Sequence, residues 1–125
     1  MKNLLKHTRR PDITFYRNGR IRIAANVVRA LSLRSGDSIN IACANGEYLL
    51  FAIHHTNAIG RHVARCYPSK NGGKNFCATS VSLCRSMLSA INVSADKVAF
   101  MVGETITING SLHLPIITKS PDIKI

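Results

Sequence analysis

Residues 13–53 read ITFYRNGRIRIAANVVRALSLRSGDSINIACANGEYLLFAI, and this stretch decides the fold. Ile13-Thr14-Phe15-Tyr16 is a β-prone run. Arg17-Asn18-Gly19-Arg20 follows, and its Asn-Gly pair is the strongest short hairpin signal, since both residues accept positive φ. Ile21-Arg22-Ile23 alternates apolar and basic, the pattern of a strand buried on one face and wet on the other. Asn26 is placed to cap a short helix over Val27 to Leu31, whose ends share a face at i, i+4. Gly36-Asp37 breaks the helix exit. Ser38 to Cys43 alternates again, Asn45-Gly46 makes a second hairpin turn, and Tyr48 to Ile53 is an apolar strand.

The remainder repeats this order. His62 to Tyr67 alternates as a strand, and Pro68 to Gly73 is a loop rich in Ser, Asn, Gly and Pro. Lys74 to Ala78 predicts a strand, and Thr79 or Ser80 can cap the helix that follows. Val81, Cys84, Met87, Leu88 and Ile91 form an amphipathic stripe. Lys97 to Val102, Thr105 to Ile108 and Leu112 to Ile117 predict further strands. Gly19 to Ala24 can be laid over Gly73 to Ala78, Leu31-Ser32-Leu33 over Ile91-Asn92-Val93, and Asp37-Ser38-Ile39 over Asp96-Lys97-Val98. The spacing predicts an internal duplication with a period of about fifty-five residues. The expected class is mainly β with two short helices, an α+β domain.

Charge points to the partner. The chain has 125 residues with Lys plus Arg 17 and Asp plus Glu 6, a formal net charge of +11. Hydrophobic residues reach 46 %, which separates it from disordered basic tails. Of the +11, +8 falls within residues 1–34, on Lys2, Lys6, Arg9, Arg10, Arg17, Arg20, Arg22, Arg29 and Arg34 against Asp12 alone. Arginine offers a planar fork of donors that matches phosphate and the guanine edge. Solubility gives no reason to segregate charge in this way, so a polyanion, nucleic acid before a membrane surface, is the expected partner.

Other chemistries are poorly supported. No apolar run approaches the length of a membrane span, and the basic start has no apolar stretch of signal-peptide length. Cys43, Cys66, Cys77 and Cys84 form no Cys-x-x-Cys pair and read as reduced residues of a cytoplasmic protein. His62-x-x-x-Cys66 lacks the second pair that structural zinc needs. His54-His55 closes an apolar strand and reads as one buried and one exposed imidazole. There is no nucleophile elbow, no phosphate loop and no carboxylate pair, so neither an enzyme nor a metal, cofactor or small-molecule substrate is expected.

The residues Gly19-Arg20, Ile23, Val27, Arg29, Leu31, Leu33 and Gly36-Asp37-Ser38-Ile39 resemble the AbrB/SpoVT-like family. This is the swapped-hairpin DNA-binding domain of bacterial transition-state regulators and MazE-type antitoxins. The resemblance covers about one third of the chain. Ala24 stands where the family has proline, Val28 where many members are basic, and Ser32 at the usual exit glycine. Family members dimerise because one strand-helix-strand unit cannot bury its own apolar face. Here the second half can supply the missing unit, which implies a swapped-hairpin or double-psi-like cradle-loop barrel. Residues 1–12 then form a basic arm, 13–118 a barrel of two halves (13–55 and 60–118), and 119–125 a short tail.

The resemblance implies contact with double-stranded DNA through the hairpin and helix, with Arg20 and Arg29 matched by position. Arg17 and Arg22 join them as hairpin neighbours, Lys74 is the second half's equivalent, and Arg9 and Arg10 belong to the arm. A DNA-binding transcription regulator acting as a homodimer is the expected function. An antitoxin fits less well, because such antitoxins append an acidic toxin-binding tail. The alternative is a non-catalytic double-psi-like barrel serving as a protein interaction or assembly module, its basic face only solvating.

Overall fold

The computed structural model describes residues 10–54, 64–70, 73–91 and 94–124. The chain order is β1 (Ile13–Tyr16), β2 (Arg20–Ile23), α1 (Ala25–Ala30), β3 (Ser38–Ala44), β4 (Glu47–Ile53), β5 (Ala64–Pro68), β6 (Phe76–Thr79), α2 (Val81–Ala90), β7 (Lys97–Val102), β8 (Ile106–Ile108) and β9 (Ser111–Lys124). Every pairing is antiparallel. The order β4-β3-β5-β6-β2-β1-β7-β9 closes through a β4–β9 pairing into an eight-stranded barrel, with β8 attached outside it on β9. The barrel closes within one chain.

The pairing maps onto itself when β1, β2, β3 and β4 are exchanged for β5, β6, β7 and β9. The hairpins β1–β2 and β5–β6 correspond, as do β3–β4 and β7–β9. β3–β5 becomes β7–β1, while β2–β6 and β4–β9 return to themselves. Each leading hairpin therefore sits between strands of the other half: β1 on β7 and β2 on β6.

Period-two alternation fills the barrel. Ile13, Phe15, Ile21, Ile23, Ile39, Leu50, Val98 and Phe100 are all 1 % exposed or less, and Phe15 packs edge-on to Phe100 at 5.9 Å between ring centres. Both helices contribute buried side chains to the same core. They leave from the ends of the antiparallel neighbours β2 and β6, and hence from opposite ends of the barrel. α1 buries Val27 and Val28, and α2 buries Cys84, Met87 and Leu88. Val81, the first residue of the expected stripe, is instead exposed and lies over the β1–β2 turn.

Local chemistry explains the departures from expectation. Asn45-Gly46 is a two-residue turn with φ of 52° and 80°, joining the paired Ala44 and Glu47. At Asn18-Gly19 only the glycine has positive φ, at 102°. The Gly19 N–H donates to the Tyr16 carbonyl, and Asn18 Oδ1 accepts from Arg20 N–H, giving a longer turn with a glycine bulge. α1 begins two residues earlier than expected, at Ala25 with Ala24 in the N-cap position, and has no capping side chain of its own. Asn26 lies inside the helix and donates to Asp12 Oδ1 at 2.8 Å, while Asn75 of the other half accepts the Ala25 N–H at 3.0 Å. α1 ends in a Schellman motif: Ser32 at φ 53°, Ser32 N–H on the Arg29 carbonyl and Leu33 N–H on the Val28 carbonyl. Ser80 caps α2 as expected, accepting Leu83 N–H at 3.1 Å.

The stretch read as a tail from residue 119 is a strand as far as Lys124. After an irregular passage, β9 resumes pairing with β7 at Asp122, Ile123 and Lys124. Pro121 falls in that passage, so its missing N–H removes no ladder bond.

Candidate nucleic-acid interface

Asp12 fixes the foot of the β1–β2 hairpin. It is 2 % exposed, with Oδ1 on the Asn26 amide and Oδ2 on the Val102 N–H, each at 2.8 Å. Its main chain adds bonds to Phe100 and Ala24. At the other end the Arg17 Nε and Nη2 both donate to the Ala95 carbonyl, at 3.0 and 2.6 Å. Arg17 is therefore committed to holding the turn against the approach to β7. The hairpin is clamped at both ends.

Between the clamps, the inward residues of β2 are Ile21 and Ile23, so Arg20 and Arg22 point outward. Register carries that face across the wall. Arg22 is opposite Thr14 on one side and Cys77 on the other, and Cys77 is opposite Tyr67. In the next row the Arg20 guanidinium lies 5.6 Å from the Tyr16 ring centre, and Lys97 Nζ lies 5.4 Å from the same ring. β5 adds outward Arg65 between buried Ala64 and Cys66.

Two grooves flank Arg22. One, of about 550 Å³, is lined by Arg20, Arg22, Tyr67, Pro68, Ser69, Lys70, Asn75 and Cys77. The other, of about 270 Å³, is lined by Arg10, Pro11, Thr14, Tyr16, Arg22, Lys97 and Ala99. Neither Arg20 nor Arg22 is ion-paired to a described carboxylate. Two of the chain's six carboxylates, Asp12 and Asp37, are buried. The wall thus offers outward cations, two grooves and two tyrosines, the elements that phosphate contact and stacking require.

The expected residues divide accordingly. Arg20 and Arg22 are brought together, and Arg10 joins them across the second groove. Arg29 is exposed on α1, which leaves the barrel at the end of β2 opposite the turn, and it lines neither groove. Lys74 is exposed in the turn before β6, one residue from groove-lining Asn75. Arg9 lies outside the described residues. Tyr16, Tyr67, Lys70, Lys97 and Arg65 were not anticipated. The alternation of Arg65 and Tyr67 along β5 carried the signal, but only strand order places it beside β2.

Two histidine and cysteine readings resolve differently. His54 is exposed, and its Nδ1 lies 2.8 Å from Oδ2 of buried Asp37, which also accepts the Arg34 N–H; His55 is outside the described residues. Burial pushes the Cys66 thiol up to about 12, with Asp37 and then Cys77 adding to the rise. Burial likewise raises Cys84 to about 11. Both are inert thiols at neutral pH.

Among the described residues no three His, Cys, Asp or Glu side chains gather as metal ligands, and no helix is long and apolar enough to cross a membrane. No family model matches the chain, and neither a curated protein nor a solved structure matches it.

Proposed function

We propose that the protein is a DNA-binding regulator of the AbrB/SpoVT-like, swapped-hairpin type, with both half-units in one chain and duplex DNA bound on the wall of β5, β6, β2, β1 and β7. The observation that carries this reading is the outward pair Arg20 and Arg22, unpaired to any described carboxylate and set between two grooves with Lys70, Lys97 and Arg10 around them. The exchange of hairpins between halves supports the family assignment. So does Ser32, which holds the left-handed conformation where the family has glycine. The contact surface differs from the hairpin-plus-helix face that the resemblance implies, because Arg17 is held by Ala95 and Arg29 lies elsewhere.

Phosphate contact makes the reading quantitative. Each phosphate neutralised contributes about 0.9 to the slope of log K against log salt. Fluorescence anisotropy on labelled duplex DNA between about 50 and 200 mM salt measures that slope. Wild type binds and weakens steeply; the R20A/R22A double variant loses about two units of slope, while R29A retains most of it. No binding at about 50 mM salt, or an unchanged slope in the double variant, overturns the proposal. That outcome leaves the assembly-module reading in its place.

A further inference from the structure

The wall across the barrel has the opposite character. In the ring, β4 and β9 lie diametrically opposite β6 and β2. Residues 103–118, which run through β8 and along β9 as far as Thr118, contain no lysine or arginine, in a chain with 17, and Glu104 is their sole carboxylate. β8 projects from this side. It pairs with β9 alone and is the one described strand with a neighbour on a single side. At the corresponding place in the first half, β3 and β4 are joined by the two-residue turn Asn45-Gly46, so β8 has no counterpart there.

Hydrogen-bond phase shows what the free edge presents. Asn109 and Gly110 have φ of 51° and 82°, a two-residue turn whose flanking residues Ile108 and Ser111 form a hydrogen-bonded pair. Antiparallel ladders alternate, so the N–H and C=O of Thr107 point away from β9, toward the open edge. Ile106 and Ile108, 40 % and 37 % exposed, share one face of the strand. Natural edges are blocked by lysine, proline or a bulge. Ile106-Thr107-Ile108 has none of these.

We infer that β8 is the surface through which two copies of this chain associate, edge to edge and antiparallel, about a two-fold axis at Thr107. In that register each Thr107 N–H donates to the Thr107 carbonyl of the second copy. Ile106 faces the second copy's Ile108, so four isoleucines cluster on one face. A one-residue slip would set isoleucine against threonine and break the cluster. Charge selects a second copy as the occupant. Two chains of net charge +11 repel across most of their surface, and the segment from 103 to 118 is where they can meet without opposing cations. An isologous edge contact also closes at two copies. It leaves both basic walls facing outward, and it stands whether or not those walls bind DNA.

Sedimentation velocity on the full chain without nucleic acid, from dilute to concentrated solution, tests this. The mass of wild type rises with concentration toward twice the 13.7 kDa chain mass. Thr107→Pro removes only the edge N–H, where proline is tolerated, and Ile108→Lys sets like charges against each other. Both variants stay at the chain mass with unchanged circular dichroism. A wild-type mass that never rises, or a dimer that survives in the doubly substituted chain, overturns the inference. Amide hydrogen exchange needs no variant: Thr107 N–H gains protection as wild type is concentrated, and equal exchange at all concentrations also overturns it.

Discussion

Replacing Asp12 by alanine tests how the two halves are joined. The carboxylate is 2 % exposed and accepts two bonds of 2.8 Å, from the Val102 N–H on β7 and from the Asn26 amide on α1. Hydrogen bonds to a charged partner contribute about 1.5–3 kcal/mol each. Half-buried Asn26 can turn toward water after the substitution, whereas Val102 N–H is fixed in the strand, so the loss lies near the lower end, about 3–4 kcal/mol. Unfolding entropy of about 2.1 cal/mol/K per residue converts this into a fall in Tm of roughly 12 °C. Urea unfolding followed by circular dichroism measures the free energy, and an unchanged m-value keeps the comparison two-state. Asp12→Asn retains one acceptor oxygen but turns an amide toward the other donor, so it loses at least about 1.5 kcal/mol. A loss below about 1 kcal/mol in D12A would mean that the hairpin foot is held by the main chain alone.

Gly19→Ala forces a side chain into φ 102° and sets its Cβ 2.7 Å from Val81 Cγ2 and 3.1 Å from the Val81 nitrogen. The expected cost is about 1–3 kcal/mol in urea unfolding, and Val81→Ala restores only part of it, because the main-chain contact remains. The thiols give a pH dependence. The folded values of Cys66 and Cys84, about 12 and about 11, stand above the ordinary 9.0, so the folded state favours the neutral thiols. Their contribution is complete below pH 9.0 and is lost as pH rises through about 11 and 12. Stability measured from pH 8 upward declines beyond 9, and less steeply in Cys66→Ala; an identical decline in that variant refutes the assignment. At pH 8 a thiol reagent modifies exposed Cys43 in the native protein and reaches Cys66 and Cys84 after unfolding.

The alternation of Ile21-Arg22-Ile23 and of Ser38 to Cys43, and the turn at Asn45-Gly46, were legible because each is a local preference that the barrel leaves alone. The cap at Asn26 was not. The sequence offers an amide beside a helix start, but buried Asp12, fourteen positions away, competes for it and wins with a charge-assisted bond. The interface was half legible for a similar reason. Arg20 and Arg22 follow from alternation on one strand, whereas Lys97, Tyr67 and Lys70 join them only through the pairings of β1 with β7 and β2 with β6. Arg17 looked equivalent to its neighbours until a carbonyl from the other half claimed its guanidinium. Side-chain charge can be read along a chain, but its availability depends on distant partners.

The interleaved hairpins also impose an order of events on a nascent chain. Ile13 waits for Phe100, and Tyr48 waits for Ile116, so neither β1 nor β4 has its full complement of neighbours when it leaves the ribosome. At about 5–20 residues per second the first hairpin emerges several seconds before its second neighbour. Through that interval Phe15 and Ile21, which end with no exposure at all, are open to solvent and to other chains. Closing the barrel within a single polypeptide therefore replaces a search for a partner molecule with a delay in time. The cell must shelter a half-built barrel until its last strand is made.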